Sequence, residues 1–153
     1  MTRKKSVLFV CKHNSARSQM AEAFLREIGG DFWTAASAGL EAGELNPLVV
    51  QVMREIGLDI STCSSDTIES VLRRGDQFDY VITVCDAANA RRCPVVPGTM
   101  RKLHWGFQDP AALSGDDEEK LQQVRLIREQ IRKQVTAFIR DFIRDAGVPV
   151  AQE

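Results

Sequence analysis

The stretch Ser6-Val7-Leu8-Phe9-Val10-Cys11-Lys12-His13-Asn14-Ser15-Ala16-Arg17-Ser18-Gln19-Met20-Ala21 decides the fold. Ser6 to Val10 is apolar and rich in β-branched and aromatic side chains, the pattern of a buried strand. It runs into a loop of small polar residues. Met20, Ala21, Phe24, Leu25 and Ile28 then recur at helical spacing until Gly29-Gly30 ends the run. The segment is therefore strand, loop, helix. Working outward, Phe32 to Ala38 reads as a second strand closed by Gly39. Asn46-Pro47 supplies a cap and first position for a second helix that presents Leu48, Val49, Val52, Met53 and Ile56 and stops at Gly57. Asp66 with Glu69 is expected to cap a short helix through Leu72, ended by Arg73-Arg74-Gly75. Phe78 to Val84 and Met100 to Trp105 are further strands. Asp116 to Asp145 is one long amphipathic helix, with Leu121, Val124, Ile127, Ile131, Val135, Phe138, Ile139 and Phe142 on one side. Alternating strands and helices imply an α/β fold whose parallel sheet is covered on both faces, with ligands at the carboxyl ends of the strands.

Composition narrows the chemistry. The 153 residues are 44% hydrophobic and 27% charged, and one domain spanning 1–153 with a full-sized core is expected. With 20 Lys+Arg against 21 Asp+Glu, no global field draws the chain to nucleic acid or anionic membrane. Arg3, Lys4 and Lys5 precede an apolar run too short for a signal-peptide core, and no stretch approaches the ~20 residues of a membrane span. A cytoplasmic monomer is expected. Four cysteines, Cys11, Cys63, Cys85 and Cys93, are irregularly spaced, unlike the paired units of a zinc site. In a reducing compartment they point to nucleophilic or redox work, or simply to buried small hydrophobes.

Cys11 to Ser18 spells C-x5-R-S between strand and helix. A loop there turns successive amides of Lys12, His13, Asn14, Ser15, Ala16, Arg17 and Ser18 inward on a tetrahedral oxyanion such as arsenate, phosphate or sulfate, with the helix dipole adding its field. That field also favours thiolate at Cys11. Arg17 returns a planar guanidinium to two anion oxygens, a contact lysine does not copy. Ser15 and Ser18 are hydroxyls able to donate to the sulfur or cap the helix, and Asn14 tolerates a left-handed backbone. Only the backbone amide of His13 is expected to matter. His104 and Trp105 are read as strand-end packing residues.

VLFVCKHNSARSQMAEA resembles the N-terminus of the arsenate reductases built on the low-molecular-weight tyrosine phosphatase fold. The likeness continues through SAGLEAGELNP, the serine-rich run near residue 60, VITVC and HWGFQDPA at 104–111. The resemblance implies a four-stranded parallel sheet flanked by helices, and Asp109, followed by Pro110, as general acid for the leaving oxygen. It also implies a relay. Cys11 attacks arsenate, Cys85 attacks the sulfur of Cys11 and expels arsenite, and Cys93 attacks Cys85. The resulting Cys85–Cys93 disulfide, nearer the surface, is then reduced by thioredoxin, with glutathione or mycothiol as the open alternatives. Arg91 and Arg92 are expected to favour a thiolate at Cys93. The seven residues between Cys85 and Cys93 are one more than in the resembling thioredoxin-linked members. Some relatives hold a potassium ion at positions corresponding to Asn14, Glu22, Ser37, Ser64 and Asp66, and no other cofactor is implied. Cys63 has no place in the pattern and is read as structural.

Two other functions share the loop. A phosphotyrosine phosphatase uses Cys11, Arg17 and Asp109 but needs neither Cys85 nor Cys93, and Ala111-Ala112 offers no aromatic after Asp-Pro to hold a phosphotyrosine ring. A non-catalytic oxyanion receptor needs no Asp109. Reduction of As(V) requires two electrons that leave as a disulfide, and the extra cysteines supply them.

Overall fold

A computed structural model of the chain describes residues 4–145; Arg3, which opens the basic run, lies outside them. The elements are β1 (Lys5–Cys11), α1 (Arg17–Gly29), β2 (Trp33–Gly39), α2 (Pro47–Glu55), α3 (Ile68–Arg74), β3 (Tyr80–Thr83), α4 (Ala87–Arg91), β4 (Arg101–His104) and α5 (Asp117–Asp145). All four strands run parallel in the order β2-β1-β3-β4. The carboxyl end of β1 therefore lies between those of β2 and β3, at the point where connections leave in opposite directions and ligands of such sheets bind.

Strand alternation sorts the core into two layers. Val7, Phe9 and Cys11 face a large cluster with Met20, Phe24 and Leu25 of α1, Val49, Val52 and Met53 of α2, and Val124, Ile127, Ile131 and Val135 of α5. Leu8 and Val10 point the other way, onto Ala38, Val81, Ile68 and Val71 of α3, Cys93 and Val96. Helices cover both faces, as expected.

Local chemistry sets the boundaries. The Asn46 side chain accepts from Leu48 N at 2.9 Å and Pro47 takes the first helical position, so α2 starts where read. Asp116 accepts from Glu119 N at 2.9 Å while Glu119 reaches back to Asp116 N, a reciprocal cap that starts α5. The cap of α3 differs from expectation: Thr67, not Asp66, accepts from Ser70 N, and Gly75 closes the helix in the left-handed region. Asp66 is drawn away by Arg74, whose Nη2 stands 2.7 Å from its carboxylate. A 3-10 turn at Gly30–Phe32 delays β2 to Trp33. β3 starts at Tyr80 rather than Phe78, and β4 at Arg101 rather than Met100. No helix of the described residues is long and apolar enough to cross a membrane.

Candidate active site

The loop after β1 is tied down on every side. Cys11 is buried, 2% exposed, and its Sγ lies 2.8 Å from Ser18 Oγ and 3.2 Å from Asn14 N. Ser18 Oγ also accepts from Asn14 Nδ2 at 2.8 Å, which leaves its single proton for the sulfur. Two donors thus converge on Sγ. The Asn14 amide orientation is itself fixed, because its Oδ1 accepts from Asp66 N at 2.8 Å and from Gln19 Nε2 at 3.2 Å. Asn14 is fully buried and is the one non-glycine residue with positive φ, 54°, among the described residues. The left-handed turn expected of asparagine is present, and it is what aims Asn14 N at the sulfur.

Helix α1 begins without a side-chain cap: its N-cap is Ala16, and the hydroxyl of Ser15 does not serve the first turn. The orphan amides at this end stay available to an anion. Ser15 contributes its carbonyl instead, accepting from Asn46 N at 2.9 Å and joining the loop to α2. Arg17 is only 4% exposed. Its Nη1 donates to Phe107 O at 3.1 Å and its Nη2 stands 3.7 Å from Asp109 Oδ2, so β4's outgoing loop positions the guanidinium beside the candidate acid. Asp109 Oδ1 meanwhile accepts from Ala111 N at 2.9 Å, capping the turn Pro110–Ala112. One carboxylate oxygen is structural and the other faces the site. An open cleft of about 590 Å³, lined by Ser15, Asn46, Pro110 and Leu113 among others, adjoins the loop.

The segment after β2 presses on the loop from outside. A Cβ at Gly39 would lie 2.6 Å from His13 C and 2.7 Å from Asn14 N, and one at Gly43 would lie 2.7 Å from His13 O. Leu40 N and Glu41 N donate to the carbonyls of Cys11 and Lys12 at 3.0 and 2.9 Å. Only glycine permits this backbone-on-backbone contact.

The remaining cysteines divide. Cys85 lies two residues past β3, is fully buried and belongs to the same core cluster as Cys11. Burial pushes its thiol up to about 11, with the nearby Arg17 charge opposing the rise. Cys93 is 6% exposed and lies in the cluster on the opposite face. Burial raises its thiol too, and the cation that opposes this is Lys102. The expected help from Arg91 and Arg92 is not what the geometry provides, because Arg92 is occupied by Glu41 at 3.2 Å and Asn89 at 2.8 Å. Between the two cysteines the polar stretch forms α4, capped by Asp86. All four cysteines are free thiols. Cys63, half-buried, is raised chiefly by burial.

The residues expected to hold a cation fall into two groups. Ser37 Oγ donates to Glu22 Oε1 at 2.8 Å, with Arg26 on the other oxygen at 3.2 Å; burial raises the Glu22 carboxyl. Gln19 Nε2 donates to Asn14 O, Asn14 Oδ1 and Ser64 O at 3.2–3.3 Å. Among the described residues no group of three or more His, Cys, Asp or Glu is placed to hold a metal ion. His104 Nδ1 lies 2.8 Å from Thr83 Oγ1, and Trp105 packs on Phe9 and Phe138, in line with strand-end packing.

Gln19, the Phe107 carbonyl, Gly39, Gly43 and Glu41 were not singled out from sequence. Gln19 was the most accessible of these to inference, being an amide at the buried start of a helix; the others depend on tertiary approach.

A buried cysteine that accepts from a loop amide beside a helix N-terminus, with an arginine paired to an aspartate at a parallel sheet's carboxyl edge, defines a cysteine-based oxyanion enzyme. The family model described as low molecular weight phosphotyrosine protein phosphatase matches residues 6–146, and the chain belongs to that family. The arsenate reductase of Halalkalibacterium halodurans is 45% identical over 135 residues, covering 88% of this chain and 95% of that one. A solved arsenate reductase in the phosphate-binding state aligns with a TM-score of 0.74 at 34% identity, over 90% of this chain and 98% of its own. A thioredoxin-dependent arsenate reductase of Corynebacterium glutamicum aligns with a TM-score of 0.60 at 29% identity, over 89% of this chain and 64% of its own.

Proposed function

We propose that the chain reduces arsenate to arsenite through a relay of Cys11, Cys85 and Cys93, with thioredoxin removing the final disulfide. The observation that carries this reading is the placement of a second buried thiol, Cys85, in the same core cluster as Cys11, just past the strand that pairs with β1. A hydrolase has no use for it. The similarity to named arsenate reductases over nine-tenths of the chain supports the substrate, and the likeness to a thioredoxin-dependent member supports the reductant.

Arsenate enters at the uncapped start of α1, its oxygens held by loop amides and Arg17. Cys11 Sγ attacks arsenic, and Asp109 protonates the departing hydroxide. Cys85 then attacks Cys11 Sγ; the Cys11–arsenic bond breaks, its electron pair leaves with arsenite, and As(V) becomes As(III) as the two sulfurs oxidise to a disulfide. Cys85 must lose its proton first; burial opposes that loss and the nearby Arg17 charge favours it. Cys93 next displaces Cys11 from Cys85, and thioredoxin reduces Cys85–Cys93.

Incubation with arsenate, thioredoxin, thioredoxin reductase and NADPH tests the scheme. Wild type oxidises NADPH, and Cys85→Ser and Cys93→Ser each abolish turnover. Normal turnover by both variants would refute the relay. Brisk hydrolysis of p-nitrophenyl phosphate without arsenate turnover would make the chain a phosphatase.

Each of Asn14, Glu22, Ser37, Ser64 and Asp66 carries an oxygen donor, which suits a hard monovalent cation. We propose that they hold potassium, which would stiffen Asn14. Thermal unfolding in KCl and in tetramethylammonium chloride at equal ionic strength decides this: a higher midpoint in potassium supports it, and equal midpoints refute it.

A further inference from the structure

A chain of polar contacts runs from the anion loop along the outside of α4. His13 Nε2 lies 3.1 Å from Glu41 Oε2, and Glu41 Oε1 accepts from Arg92 Nη2 at 3.2 Å. Arg92 Nη1 donates to Asn89 Oδ1 at 2.8 Å, and Asn89 in turn donates to Asp86 through its backbone N at 2.9 Å and through Nδ2 at 2.8 Å. The chain begins two residues after Cys11 and ends on the residues that adjoin Cys93 and Cys85. Its second member, Glu41, lies between Gly39 and Gly43 on the segment that presses against the loop.

The fold keeps apart the two cysteines that this chain brackets, Cys85 and Cys93. They lie in different core clusters, on opposite faces of the sheet. At a helical rise of about 1.5 Å per residue, eight residues span about 12 Å, whereas a disulfide requires Cα atoms within ~7 Å. The segment must unwind and carry Cys93 around the sheet's carboxyl edge. Asn89 and Arg92 make their contacts from the wound segment, and Arg92 ties it by charge to Glu41.

We propose that Glu41 and Arg92 form a latch that keeps α4 wound against the anion loop, and that its opening sets the rate of the last thiol exchange. The inference rests on the relay reading. In that step Cys93 thiolate attacks Cys85 Sγ of the Cys11–Cys85 disulfide; the Cys85–Cys93 bond forms, the Cys11–Cys85 bond breaks, and Cys11 leaves as thiolate with no net change in oxidation. Glu41 and Arg92 are positioning residues, touching neither the oxyanion nor a sulfur.

Amide hydrogen exchange and rapid-quench thiol trapping on the full chain test this with Arg92→Gln, Glu41→Gln and the double variant. Arg92→Gln leaves the His13–Glu41 contact in place. An exposed pair of this kind predicts amide exchange at residues 90–93 about two- to fivefold faster in either single variant, with α5 unchanged. Cys85–Cys93 formation after one arsenate turnover accelerates by the same factor, 1 M NaCl brings wild type up to the variants, and the double variant adds nothing to the singles. Unchanged exchange at 90–93 in Arg92→Gln, or a slower second exchange, would overturn the latch while leaving the relay standing. If wild type forms no Cys85–Cys93 disulfide at all, the relay and the latch's kinetic role both fall, and the exchange data alone then report a structural clasp.

Discussion

Replacing Gly39 with alanine tests whether the anion loop is held by backbone contact. The new Cβ would stand 2.6 Å from His13 C, 2.7 Å from Asn14 N and 2.8 Å from Glu41 O. Nonbonded carbons prefer ~3.5–4.0 Å, so either the loop or the end of β2 must retreat by close to 1 Å. None of the three atoms belongs to a side chain that could rotate away. Overpacking of this kind costs about 1–3 kcal/mol, which for a chain of this size lowers the melting temperature by about 2–12 °C. Activity suffers more. A misplacement of ~1 Å in the groups that position a reactant costs on the order of 10²-fold, and Asn14 N is one of the two donors on Cys11. Gly57 is the control: its φ is +84° and its Cβ would meet nothing within 4 Å, so Gly57→Ala pays only the left-handed penalty of about 1–2 kcal/mol. The measurements are thermal unfolding and arsenate-dependent NADPH oxidation for both variants. Gly39→Ala should lose turnover out of proportion to stability, and Gly57→Ala should lose stability alone. A Gly39→Ala protein as active and as stable as wild type would refute the reasoning.

Asp109→Asn should slow arsenate turnover by about 10²–10⁴-fold while phosphate still raises the melting temperature; loss of phosphate protection instead would assign Asp109 to binding. Because burial holds the Cys85 thiol at about 11 against an ordinary 9.0, the unfolded chain ionises it first. That contribution to stability is complete below pH 9 and is lost as pH rises to 11, about 2–3 kcal/mol in all. Urea midpoints of wild type and Cys85→Ala should therefore converge between pH 9 and 11, and parallel curves would contradict the shift. Ile131, fully buried between α5 and the sheet, should cost about 2–5 kcal/mol on truncation to alanine with kcat preserved in the folded fraction, checked by urea unfolding beside the turnover assay.

Most of the architecture was legible because it rests on local periodicity. β1, its loop and α1 follow from the apolar run, the small polar residues and the spacing of Met20, Phe24 and Leu25. Asn46-Pro47 marked a helix start by chemistry confined to three residues. The errors share one cause. Asp66 was read as a cap because Glu69 follows it at the right interval, but the carboxylate serves Arg74, eight residues away, and Thr67 takes the cap. Arg92 was assigned to its neighbour Cys93, yet its charge is spent on Glu41, which lies 51 positions earlier. Within the site, Cys11, Arg17 and Asn14 were readable from one loop and its place between strand and helix. Gln19 and the Phe107 carbonyl were not, since their roles arise only when distant segments close on that loop.

The sheet itself divides the three sulfur atoms of the proposed relay, Cys11 and Cys85 on the side of α1 and α5 and Cys93 behind, with α3. Under that relay the molecule is oxidised once in every cycle and risks being oxidised idly, by any passing peroxide or disulfide. With Cys93 housed across a wall of strands, the empty protein keeps that thiol apart from the other two.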